Sequence, residues 1–197
     1  MFLSSSAQSA TRPETDLVPL HIGINEVDFG ERAIAGMVVL AHRENFNAHS
    51  SELATFYLRT AVVESDPEMW QIIPFEIPRK EKDQGVDKNY LRVWGGADCK
   101  LETFRLLRGR NDKATYVLRA NRPLGHSFVD PGFVTFVWFK LDWNLDGVPG
   151  WPVALFKVSK TETSKSKYCD VDKAIETELH LRGAITPTEG SLPDQPE

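Results

Sequence analysis

The stretch FVTFVWFKLDW, Phe133 to Trp143, is apolar on both alternations of an extended chain, with Phe133, Val137, Phe139 and Leu141 against Val134, Phe136 and Trp138. Successive side chains of a strand point to opposite faces. A strand of this composition therefore needs cover on both sides, as in the middle of a sandwich or in a sheet packed on a helix. The apolar run WPVALFKVS follows after a short polar turn, so the two segments form one long hairpin.

Most of the remaining signal is also β. Leu20, Ile22 and Ile24 alternate with polar residues, and Ala33 to His42, Met69 to Ile77 and Tyr90 to Trp94 read as further strands. The charged segment Arg79 to Lys88 reads as a solvated loop. A second hairpin turns at Gly109 to Asp112; it sets Phe104, Leu106, Tyr116 and Leu118 on compatible faces and Arg105, Lys113 and Arg119 on a wet one. Two segments carry helical spacing. Ser50 to Ala61 begins with cap-forming serines, and residues 170–183 run from the cap Asp170 through the stripe Val171, Ile175 and Leu179 to a stop at Gly183.

These elements predict an all-β fold, mainly an antiparallel β-sandwich of about eight or nine strands, with one C-terminal amphipathic helix. A lipocalin-like β-barrel is the alternative. With 197 residues, 41% of them hydrophobic, the chain can bury one substantial core. The single domain is expected at 17–183, between polar tails at 1–16 and 184–197. The order strand, short helix, strand over Ala33 to Ile77, with ELATFYLRT and MWQIIPF inside it, resembles the middle of the jelly roll of small viral coat proteins. That resemblance implies a self-assembling protein, although the chain has no basic arm for RNA.

A net charge of −5, with both signs interspersed, gives no footprint for a phosphate backbone, so nucleic acid is not favoured as a partner. The N-terminus lacks the basic and apolar regions of a secretory signal, and no apolar run is long enough to span a bilayer. Cys99 and Cys169 lie far apart in no CxxC pair. Together these features predict a soluble, cytoplasmic protein with two free thiols.

Three groups of residues could carry chemistry. Asp142-x-Asn144-x-Asp146-Gly147 resembles the opening of EF-hand calcium loops, whose first, third and fifth positions converge on one ion. Val153 stands where that family has a bidentate glutamate, so no cofactor is expected beyond weak Ca2+ binding, and Asn, Asp, Gly and Pro are also the residues of a tight turn. His42 and Glu44, with His126 or His180, have the residue types of a two-histidine, one-carboxylate iron site, which would make the chain a metal-dependent enzyme. Trp143 and Trp151 flank the long hairpin's turn and could stack on a glycan or another small flat ligand. No nucleophile elbow, P-loop or dinucleotide fingerprint is present. The function expected is that of a non-enzymatic binding or self-assembling protein, partnered by its own copies, a small ligand or a glycan.

Overall fold

A computed structural model describes residues 12–46, 49–60, 69–76, 88–96, 98–183 and 185. Among them the strands are β1 (Thr15–Val18), β2 (Gly23–Glu26), β3 (Ala35–Arg43), β4 (Ser51–Thr60), β5 (Met69–Ile72), β6 (Leu91–Gly95), β7 (Lys100–Gly109), β8 (Thr115–Asn121), β9 (Gly132–Trp143) and β10 (Ala154–Tyr168). They pair into one antiparallel sheet ordered β10-β9-β8-β7-β6-β4-β3-β2, with β1 added beside β7 and β5 beside β4. Strands adjacent in this order are mostly adjacent in sequence. The sheet does not close on itself, so the open sandwich-like form holds and the barrel does not. β1 begins within the stretch read as an N-terminal tail, and the solvated loop expected at 79–88 lies outside the described residues up to 87.

β9 receives its two covers from different sources. Val137, Phe139 and Leu141 enter a large core with Val38 and Leu40 of β3, Phe56 and Leu58 of β4, and Phe104 and Leu106 of β7. Val134, Phe136 and Trp138 enter a second core on the other face, closed by Val171, Ala174 and Ile175 from the C-terminal helix. Trp138 is fully enclosed, yet its indole Nε1 still donates to Glu162 Oε1 at 3.1 Å. A buried Trp that satisfies its N–H in this way avoids the cost of an orphaned donor.

The large core is organised around Phe75. The backbone just beyond β5 crosses from β4 to β10: Ile73 N donates to Phe56 O at 2.8 Å, Phe156 N to Pro74 O at 2.8 Å, and Glu76 N to Phe156 O at 2.9 Å. Phe75 also exchanges backbone hydrogen bonds with Lys88. Its ring stacks on Phe156 at 4.8 Å and meets Phe56 and Phe139 edge-on, each at 5.2 Å. Edge-on and offset contacts of this kind add to the burial of large apolar rings.

Four expectations are corrected. Ser51–Thr60 is strand β4, not a helix. Its burial alternates, with Ala54, Phe56 and Leu58 inward, because partners on both edges offer ladder hydrogen bonds that override a weak helical pattern. The short helix in the coat-protein resemblance is thus a strand. The β7–β8 hairpin has no wet face: Leu106 pairs with Val117 and Leu107 with Tyr116, so Tyr116 and Leu118 are on the other face of the sheet from Phe104 and Leu106. A one-residue change of register exchanges the faces. Arg105, only 4% exposed, is consequently buried beneath the helix.

The helix is also shorter than its sequence span. Asp170 caps it by accepting from Asp172 N at 2.7 Å, and α1 (Val171–Ala174) continues as a π turn, Ile175–Leu179. His180 then adopts the left-handed conformation, with φ of 57°, and ends it ahead of Gly183. Finally, Cys99 and Cys169 are not free. They form a disulfide with Cα atoms 5.6 Å apart, within the usual range. The cysteines stand directly before β7 and directly after β10, so a wide sequence separation becomes a short distance at one end of four antiparallel strands.

Polar groups lock the same corner. Arg105 Nη2 donates to Asp172 Oδ1 at 2.6 Å and Lys100 Nζ to Asp172 Oδ2 at 2.8 Å, while Lys100 N donates to Asp170 Oδ2 at 3.0 Å. The flanking positive charges and hydrogen bonds hold the Asp172 carboxyl below its usual range against the opposing effect of burial. Buried Arg122 donates from Nε to Cys169 O at 2.5 Å and also to the carbonyls of Pro123 and Phe128.

Two mutational outcomes follow from these cores. Replacing Phe75 with Ala removes the ring shared by β4, β9 and β10 and is expected to cost about 3–5 kcal/mol in urea unfolding. Cys169→Ser opens a 70-residue loop and is expected to cost about 4 kcal/mol; thiol titration of the denatured, unreduced wild type should detect no free cysteine.

Candidate functional site

The turn between β9 and β10 is built by Asn144. Its Oδ1 accepts from Val148 N at 2.9 Å, and its Nδ2 donates to Val148 O at 3.2 Å and to Trp151 O at 3.4 Å. Gly147 has a φ of 59° and Gly150 of 82°, conformations that cost a glycine little. Asp142 stands on β9 and pairs with Lys157 of β10 at 2.5 Å. Asp146 is exposed at the turn. Among the described residues, no three His, Cys, Asp or Glu side chains form a group able to hold a metal.

The two tryptophans go to different places. Trp151 is half-exposed, with the Lys157 ammonium 5.4 Å from its ring centroid. Trp143 packs against the large core and floors a shallow groove of about 680 Å3 beside Leu141. The walls of that groove come from Phe29 to Arg32, before β3, and from Asp112 to Thr115 of the β7–β8 turn.

Asp112 is the organising charge of the groove. Its Oδ2 accepts from the Tyr116 hydroxyl at 2.6 Å and from Lys140 Nζ at 2.9 Å, and its Oδ1 accepts from Ala114 N at 3.1 Å. Burial opposes its ionisation, but these donors outweigh burial and lower its pKa to about 2. Burial and the Asp112 bond raise the Tyr116 pKa, and the Asp112 bond raises that of Lys140 against burial.

His42 and Glu44 are adjacent, at 3.4 Å, and His42 Nδ1 lies 3.7 Å from Glu52 Oε1. The Phe46 N–H, followed by His42, holds the exposed Glu44 carboxyl below its usual range. His49, by contrast, stacks on Phe128 at 4.4 Å.

Sequence reasoning missed an apolar face. On the outer side of β2 to β5, pairing aligns Ile24 with Val39, Met37 with Tyr57 and Tyr57 with Ile72, and places Trp70 opposite Arg59. Ile24 is 65% exposed, Trp70 48% and Ile72 39%. The odd-numbered residues Leu53, Thr55 and Tyr57 signal this face only when Ser51–Thr60 is read as a strand.

The architecture is therefore an open antiparallel β-sheet, curled over one large core and capped on its far face by a C-terminal helix. A solved structure with this arrangement is that of CarG: the chains superpose with a TM-score of 0.62, covering 82% of this chain and 94% of that one at 22% sequence identity. This likeness concerns the fold. No protein-family model and no curated protein matches the sequence.

Asp112 supplies an acid-sensitive contribution to stability. Its folded pKa of about 2 lies below the ordinary aspartate value of about 3.9, so this stability is present above about pH 4 and is lost as the pH falls through about 2. Asp112→Asn should therefore lower the melting temperature at pH 6 and flatten the decline between about pH 4 and 2, measured by circular dichroism.

Proposed function

We propose that this chain is a non-enzymatic binding protein whose partner is a second copy of itself, docked through the outer face of β2 to β5. The observation that carries this reading is the difference between the two outer faces of the sheet. The face of β7 to β9 has the C-terminal helix over it, whereas Ile24, Trp70 and Ile72 stand exposed on β2 and β5, beside partly buried Val39 and Tyr57. Contiguous exposed apolar side chains mark contact surfaces.

The layout of that face suits a two-fold partner. A rotation that laid β2 of one copy over β5 of the other would set the exposed Ile24 of each against Trp70 and Ile72 of the other. A contact of this kind is self-complementary and closes as a dimer. The disulfide supports a working place in an oxidising compartment, a departure from the cytoplasmic location expected from sequence.

Light scattering on the eluted protein tests the proposal. Wild type at tens of micromolar should run with twice the chain mass, and Ile24→Lys with Ile72→Lys should run as a monomer with an unchanged circular dichroism spectrum. A monomeric wild type would overturn the dimer. A mass of many chains would instead support the shell-forming, coat-like version of self-assembly.

A further inference from the structure

A separate feature lies on β6 and its neighbours. Glu102, 5% exposed, accepts from two guanidinium groups: Arg92 Nε and Nη2 reach its Oε2 at 3.2 and 3.1 Å, and Arg119 Nε and Nη2 reach its Oε1 at 2.8 and 2.7 Å. The carboxylate is saturated, whereas each guanidinium keeps its Nη1 hydrogens and one on Nη2. Lys88, half-buried at the approach to β6, completes the cluster, and its charged neighbours among the described residues are Glu102, Arg92 and Arg119 alone. Its ammonium faces the Tyr90 ring at 4.9 Å and pairs with no carboxylate among the described residues.

The pattern along the chain is regular. Arg92 and Trp94 occupy alternate positions of β6 and share one side of it, and Lys88 and Tyr90 precede them at the same spacing. Arg92 lies over the Trp94 ring at 4.4 Å. Three cations surround one anion here, an excess of two positive charges in a chain whose net charge is −5. Desolvation pushes the Lys88 pKa down; Glu102 opposes that shift, and Arg119 and Arg92 add to it.

We infer that Lys88, Arg92 and Arg119 form a binding site for a compact dianion, either a phosphate group or a small dicarboxylate, with Tyr90 and Trp94 as its aromatic walls. The ligand oxygens would take the unspent guanidinium hydrogens and the Lys88 ammonium, while Glu102 holds the two arginines in position. Arginine forks suit oxyanions of both kinds. This inference does not depend on the dimer: Arg92 pairs with Leu53 on the same side of the sheet, but the site invokes none of Ile24, Trp70 and Ile72, whose exposure carries that reading.

Calorimetric titration at low ionic strength and pH 7.5 tests it, with inorganic phosphate in one arm and malonate in the other. Wild type should bind at least one of them, and Lys88→Gln, checked for an unchanged melting curve, should bind it roughly tenfold or more weakly, as expected for loss of a charged hydrogen bond. Retention in both arms identifies the shared dianion chemistry, and retention in one arm identifies its source. The inference is overturned if neither anion binds, if Lys88→Gln binds as wild type does, or if potassium chloride at matched ionic strength competes as strongly as the dianion.

Discussion

The fold depends on Phe75 as a joint between parts of the sheet that are not neighbours in its strand order. β4 lies in one half and β10 at the far end. The chain around Phe75 bonds to both through its backbone, and its ring lies among Phe56, Phe139 and Phe156. Loop closure over so long a separation is entropically costly, and the hydrogen bonds and the buried rings offset that cost at the same place. The aromatic residues are therefore spent mainly on the interior.

The sequence made the β character plain because period-two alternation is a local property, visible in Leu20 to Ile24 and in the doubly apolar β9. It also showed that β9 needed two covers, and it located the start of the covering helix at Asp170. It did not show the identity of β4, whose apolar residues Leu53, Phe56 and Tyr57 satisfy a helical spacing as well as a strand's. Only the ladders to β3, β5 and β6 decide that case, and such pairing is not displayed by any residue pattern within the segment itself. The faces of the β7–β8 hairpin were misread for a related reason: pairing register depends on turn geometry, and residue types at the turn do not fix it uniquely.

The candidate sites were legible in proportion to how local they were. Asn144, Gly147 and Gly150 could be read as turn-builders because their partners lie within a few residues. Trp143 and Trp151 look equivalent in sequence, yet one joins the core and the other the surface. The apolar face of β2 to β5 and the Lys88, Arg92, Arg119 cluster each draw on several strands, and Glu102 meets Arg119 only through the register of the β7–β8 hairpin, which the sequence left open. Cys99 and Cys169 are the extreme case, since their nearness depends on the whole path of β7 to β10.

That path gives the disulfide a reach beyond its own corner. The covalent ring begins just before β7 and ends just after β10, so it encircles the complete four-strand meander and leaves β1 to β6 outside. The chain is thereby divided into a tethered part and an open one. Strands within the ring remain neighbours even when their hydrogen bonds break, and a single cut in a loop there leaves both fragments attached. Strands outside the ring, including those bearing the exposed apolar face, are held by non-covalent contacts alone, so the half offered to a partner is the half that has more to gain from being held.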